Sequence, residues 1–197
     1  ENQRTAAMSE EDKDERFYRD TQATAFPELD DHQLELLEPL GIRRTIRQGE
    51  LLYRAGQRDL PIGVVLSGEL EAFEPRDGGE YILGVCGPRQ FTGDVAILNG
   101  TSSIATMRGK AEESLVLEIP AEQIRMAMAE LPGVGEPIVQ AFIMRRERLR
   151  RDKVFAGLRI LAEPGCREAL LIHNFLDKNR MPHRVVESTS DEGQALA

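Results

Sequence analysis

Between residues 25 and 120 the chain sets short apolar runs between polar, glycine-containing turns: "ELLYRAG", "IGVVLSG", "ELEAF", "YILGVCG" and "ESLVLEI". Runs of this length, punctuated at these intervals, predict the strands of an all-β sandwich or roll. Upstream, "FPELDDHQLELLEPLG" carries apolar residues at helical spacing. Asp30 is placed to cap that helix, Gln33 to return the hydrogen bond three residues on, and Gly41 to end it. Downstream, "PAEQIRMAMAEL" puts Ile124, Met128 and Leu131 on one helical face, and "LPG" interrupts it. A longer helix is then expected over 134–153, with Ile138, Val139, Phe142 and Leu149 at roughly helical spacing. The last forty residues change period again. "GLRILA" predicts a strand, "PGCREALLIHNFLDKN" a helix with Ala169, Leu170 and Phe175 facing inward, and "MPHRVVES" a second strand after a proline turn. The pattern is that of an α+β chain: a polar arm (1–24), a helix-flanked roll (25–155), a βαβ segment (156–190) and a polar tail (191–197).

Composition narrows the function classes. The 197 residues are 41% apolar with no long apolar run, enough for one buried core plus an appendage, and nothing is expected to span a membrane. The N-terminal stretch "ENQRTAAMSEEDKDERFYRD" is polar where a secretory signal needs an apolar centre, so a cytoplasmic protein is expected. Cys86 and Cys166 lie far apart without metal-ligand spacing, which predicts reduced thiols and no metal site. A net charge of −9 disfavours sequence-independent binding to nucleic acid. The basic cluster "RRERLRRDK", from Arg145 to Lys153, is expected as a solvated helix end that complements the helix dipole. Its alternative, a DNA-binding extension, would need a recognition helix next, and "VFAGLRILAEPG" predicts a linker and a strand. His32, His173 and His183 are expected as ordinary helix or turn residues.

Three stretches in order, "FPELDDHQLELLEPLGIRRTIRQGELLYRAGQ", "GVVLSGELEAF" and "FTGDVAILNGTSSIATMRG", with Gly49, Gly56 and Gly68 at turns, resemble the cyclic nucleotide-binding domain of bacterial regulators, kinase regulatory subunits and ion channels. The resemblance covers about residues 25–150 and implies a jelly-roll type double-stranded β-helix. It implies that the third stretch is the phosphate-binding cassette. There a carboxylate holds the ribose 2′-hydroxyl and an arginine holds the cyclic phosphate. Gly93 and Asp94 fall on the first two cassette positions, and Val95, Ala96, Ser102, Ser103 and Ile104 complete the candidate ligand-binding set. Ser103 stands at the arginine position and Ile104 where a small or hydroxylated residue is common. A charge-assisted hydrogen bond contributes about 1.5–3 kcal/mol, so its loss is expected to weaken cyclic nucleotide binding about tenfold to a hundredfold. Neither Arg89, before the cassette, nor Arg108, at an odd offset from Ser103 along a strand, is placed to substitute. Backbone N–H groups at the start of "DVAIL" remain as attractors of an anion.

The βαβ segment resembles the first half of a glutaredoxin-like, thioredoxin-fold domain, with Cys166 at the second thiol of the active-site pair and Glu163 at the first. With one thiol, dithiol catalysis is excluded, and Cys166 is either inert or a single-thiol redox residue. The combination resembles the N-terminal part of bacterial flavin-dependent, thioredoxin-reductase-like proteins, and flavin and nicotinamide cofactors are expected only in such a longer parent. No G-x-G-x-x-G follows a strand in this chain. Three readings stay open: a non-catalytic ligand-sensing or regulatory module of such a protein, a ligand-responsive transcription regulator lacking its DNA-binding part, and a redox protein working through Cys166. The expected partners are a small molecule and flavin reductase domains or another protein surface. The helix over 134–153 suggests a homodimer.

Overall fold

A computed structural model describes residues 10–76, 79–152, 158–179, 181, 183–190 and 193–194. The first nine residues of the expected arm, Lys153 with the following "VFAG", and most of the expected tail lie outside them.

Two antiparallel sheets form the roll. β1 (Ile42–Arg47), β7 (Glu113–Ile119) and β3 (Ile62–Ser67) make one, in the order β1-β7-β3. β2 (Leu51–Tyr53), β6 (Thr106–Gly109), β4 (Leu70–Arg76) and β5 (Gly79–Cys86) make the other, in the order β2-β6-β4-β5. β7, the central strand of its sheet, is buried at Ser114, Val116, Leu117 and Ile119, so both of its faces are largely covered, and Glu113 at its start is exposed. Ile46, Leu52, Val64, Leu70 and Met107 fill the space between the sheets. Gly68, in the turn between β3 and β4, has φ +80°, and a Cβ there would lie 2.6 Å from the Glu113 carbonyl oxygen. Both facts require glycine at this corner. No run of residues 42–47 stood out as a strand in the sequence, because "IRRTIR" carries only two apolar residues; β1 forms through pairing with β7.

Helices close the ends. α1 (Glu10–Asp20) and α2 (Gln22–Ala25) precede α3 (Asp31–Leu37), which is followed by a 3-10 turn at Glu38–Leu40. Asp30 caps α3 as its spacing implies: Asp30 Oδ1 accepts from the Gln33 N–H at 2.7 Å, and Gln33 Oε1 accepts from the Asp30 N–H at 2.9 Å. α4 (Ala96–Asn99) is one turn, and α5 (Ala121–Glu130) is separated by Leu131 from α6 (Pro132–Arg151). Pro137 inside α6 has no N–H for the Gly133 carbonyl. Gln33 supplies the donor from α3, its Nε2 reaching that oxygen at 2.6 Å. One side chain thus caps α3 and repairs α6. Val134, Ile138, Ala141 and Phe142 of α6 are buried in the core, with Phe142 edge-on to Phe91 at 6.1 Å.

After α6 come β8 (Leu158–Ala162), α7 (Arg167–Lys178) and β9 (His183–Glu187), and the two strands pair in parallel from Leu158↔His183 to Ala162↔Glu187. This is a βαβ unit. Its small core joins Ile160, Ala169 and Leu176. Ala169 faces inward as expected, but Leu170 and Phe175 do not, being 57% and 65% exposed. A sheet of two strands covers only a narrow stripe of its helix, here Ala169 and Leu176 seven residues apart. Among the described residues, no helix is long and apolar enough to cross a membrane.

Candidate ligand-binding site

A cavity of about 590 Å³ lies between the roll, α1 and the C-terminal half of α6. It is within the size range of small-molecule sites. Of the sequence-derived candidates, Gly93, Asp94, Ser103 and Ile104 line it, while Val95, Ala96 and Ser102 do not. Gly93 has φ +113°, and a Cβ there would stand 2.6 Å from Ile97 Cδ1 and 3.0 Å from Phe142 Cζ. The cassette backbone therefore lies against α6 with no room for a side chain. Val95 packs against the core and Ala96 is buried, so both support the turn from beneath.

Several of the cassette's polar groups bond to one another. Asp94 Oδ1 accepts from the Ala96 N–H at 2.7 Å, the Ile97 N–H goes to the Asp94 carbonyl and the Leu98 N–H to the Val95 carbonyl. Of the amides along "DVAIL", those of Ala96, Ile97 and Leu98 are thus already used, and α4 at four residues has little dipole. Ser103 is buried and closed on itself: its Oγ donates to the Ala105 carbonyl at 2.8 Å and accepts from the Ala105 N–H at 3.1 Å. Its main chain bonds with Gly56 and Gln57. As expected, Arg89 and Arg108 serve elsewhere, Arg89 on Asp31 and Leu29, Arg108 on Glu71 and Glu80.

The cations of the site come from α6. Arg145 and Arg146 are buried, in contrast to the solvated helix end that the basic cluster suggested. Arg145 donates to three backbone carbonyls, Ala25 at 2.7 Å, Gly93 at 2.9 Å and Phe91 at 2.8 Å, and lies about 5 Å from the centroids of the Phe26 and Phe91 rings. Burial pulls its pKa below the usual guanidinium value. Arg146 Nη2 reaches Asp94 Oδ2 at 3.2 Å, with the two side chains only 5% and 14% exposed. The carboxylate that would hold a ribose hydroxyl therefore faces a guanidinium. Arg148 Nη1 is buried with no hydrogen-bond partner among the described residues, and its guanidinium lies 5.1 Å from the Tyr18 ring centroid and 5.4 Å from that of Phe26. Burial lowers its pKa as well.

The residues between them are apolar or phenolic: Phe26, Tyr53, Leu83, Ile104 and Met107 line the cavity, with Cys86 beneath them. The Cys86 thiol donates to the Phe91 carbonyl at 3.3 Å, and burial pushes its pKa up. From α1, Tyr18 donates to the Arg148 carbonyl at 2.9 Å, and Arg151 stacks 3.9 Å from the Phe17 centroid. From β5, Tyr81 donates to Asp152 at 2.6 Å. The second candidate locus, Cys166, sits at the N-cap of α7 with its thiol 3.5 Å from Glu168 Oε2. Both cysteines are free.

The sequence left α1 and the arginines of α6 out of the site. One signal was present: Ile138, Phe142, Arg145 and Leu149 follow one another at 4, 3 and 4 residues, so Arg145 falls on the apolar stripe of its helix.

Comparison with known proteins fits this architecture. Residues 43–130 match the family model of the cyclic nucleotide-binding domain. No curated protein matches the chain. The catabolite activator protein of Thermus thermophilus is 22% identical over 78% of this chain and 63% of its own, with a TM-score of 0.51. The c-di-GMP responsive global regulator CLP of Xanthomonas campestris is 18% identical over 62% of this chain and 60% of its own, also with a TM-score of 0.51. The chain spans less than two thirds of either protein. Residues 43–130 are thus similar in sequence to a cyclic nucleotide-binding domain, and the chain shares the fold of both structures.

Proposed function

We propose that the chain is a non-catalytic, ligand-sensing regulatory module whose cassette does not hold a cyclic nucleotide in the manner of its family. The observation that carries this reading is the state of Asp94 and Ser103. Asp94 is paired with Arg146 of α6, and Ser103 is satisfied within its own turn. A cyclic phosphate placed on the cassette would meet no cation from it, and a ribose would have to displace a buried ion pair. The cavity itself persists, which favours a different ligand over a filled, purely structural roll. The parallel βαβ unit supports the finer reading that this module works beside flavin-dependent disulfide-reductase-like domains in a cytoplasmic protein, with no flavin or nicotinamide site of its own. A transcription-regulator role is favoured by the names of the two structural neighbours alone. Here α6 is followed by a βαβ unit and not by a recognition helix.

Isothermal calorimetry with cyclic AMP and cyclic GMP tests the reading. The unmodified chain is expected to bind neither at low-micromolar concentration. Ser103→Arg is expected to improve binding about tenfold or more. Low-micromolar binding of either nucleotide by the unmodified chain would overturn it.

A further inference from the structure

Arg145 and Arg148 both line the cavity, and neither has a carboxylate within ion-pair distance among the described residues. Each guanidinium nitrogen of Arg145 donates to a carbonyl oxygen. Arg148 differs: it is half-buried against the faces of Tyr18 and Phe26, and its Nη1 is enclosed without a hydrogen-bond partner among the described residues. An enclosed donor on a cation is costly unless an acceptor meets it. Two aromatic faces fix the plane of the guanidinium, which suits it to an oxyanion approaching edge-on. Four carboxylates line the cavity: Asp94 is held by Arg146, Asp152 accepts from Tyr81, Asp14 lies half-buried beside Tyr18, and Glu15 is exposed. The rest of the lining, from Phe26 and Tyr53 to Leu83, Ile104 and Met107, offers apolar and aromatic surface to the body of a ligand.

We infer that this cavity is a site for a small organic oxyanion, an aromatic or apolar carboxylate or phosphate monoester, whose charged group is held by Arg148 of α6 and not by the cassette. The inference rests on the reading of the chain as a ligand-sensing module and adds the ligand's class and its orientation. The anion lies at the helical end of the cavity and the apolar body points into the roll, so the missing cassette arginine is compensated from a different element. The site is completed by α1, through Tyr18, and requires α6 to be docked.

The test uses two probes of nearly the same shape, 2-naphthoate and its neutral amide, measured by calorimetry on the full chain. The unmodified chain is expected to prefer the carboxylate about tenfold to a hundredfold, the range of a charge-assisted hydrogen bond. Arg148→Gln is expected to remove that preference, and Arg148→Lys to retain part of it. If both probes bind the unmodified chain equally, or if the preference survives Arg148→Gln, the assignment of Arg148 is overturned and the ligand-sensing reading stands. If neither probe binds, the assignment of the cavity to an aromatic oxyanion is overturned, and the ligand-sensing reading is judged by the cyclic nucleotide titration. The unmodified chain decides the first point even if Arg148→Gln fails to fold.

Discussion

Arginine is the residue whose placement most changes the reading of this chain. Five guanidinium groups fall between Arg145 and Arg151; of these, Arg145 and Arg146 are buried and Arg150 and Arg151 pair with Glu147. Side by side with them is Tyr18, whose phenol is pushed up to about 12 by burial and then by the nearby Asp152 and Asp14. Tyr53, fully enclosed, moves in the same direction. A phenol with a folded pKa above its unfolded value of about 10 keeps its proton in the folded chain while the unfolded chain loses it. The contribution of Tyr18 is therefore expected to be constant below pH 10 and to be lost as pH rises from about 10 to about 12. Urea unfolding across that window should show the decline, and Tyr18→Phe should make it shallower. An equal decline in the variant would contradict the placement of Tyr18 against α6.

At the scale of elements, α6 is both lid and brace. Arg146 ties it to the cassette through Asp94, Arg145 ties it to the carbonyls of Ala25, Phe91 and Gly93, and Gln33 repairs its proline gap. A double-mutant cycle on Asp94→Asn and Arg146→Gln is expected to give a coupling of about 1–3 kcal/mol, as for a buried, hydrogen-bonded pair. A coupling below about 0.5 kcal/mol would mean that α6 does not rest on the cassette. Most strands and the cap of α3 were legible because they follow local rules: a short apolar run in β7, the Asp30–Gln33 box, glycine at the Gly68 corner. The position of α6 was not. Arg145 is buried against carbonyls 52 to 120 residues away in the chain and Arg146 against Asp94, and a run such as "RRERLRR" carries the composition of a solvated helix. In α7 the error was the reverse: its apolar residues outnumber what a two-stranded sheet can cover, so Leu170 and Phe175 stay exposed.

For the whole molecule, α6 is the element shared by the cavity and the βαβ unit. Besides Asp94, Arg146 reaches the Met181 sulfur at 3.7 Å, and Arg150 pairs with Asp177 of α7 at 2.7 Å. A ligand that engages Arg148 thus acts on the helix that also touches the second unit, and a shift of α6 has a direct route to it. Occupancy can move such an equilibrium only if the ligand favours the docked helix over the undocked one. Hydrogen exchange of the full chain, with and without 2-naphthoate at a concentration shown by calorimetry to be saturating, measures that difference directly. Slower exchange across residues 134–152 is the result expected if the ligand is held from α6. Unchanged exchange there at saturation, with protection confined to residues 93–106, would contradict it and return the anion to the cassette.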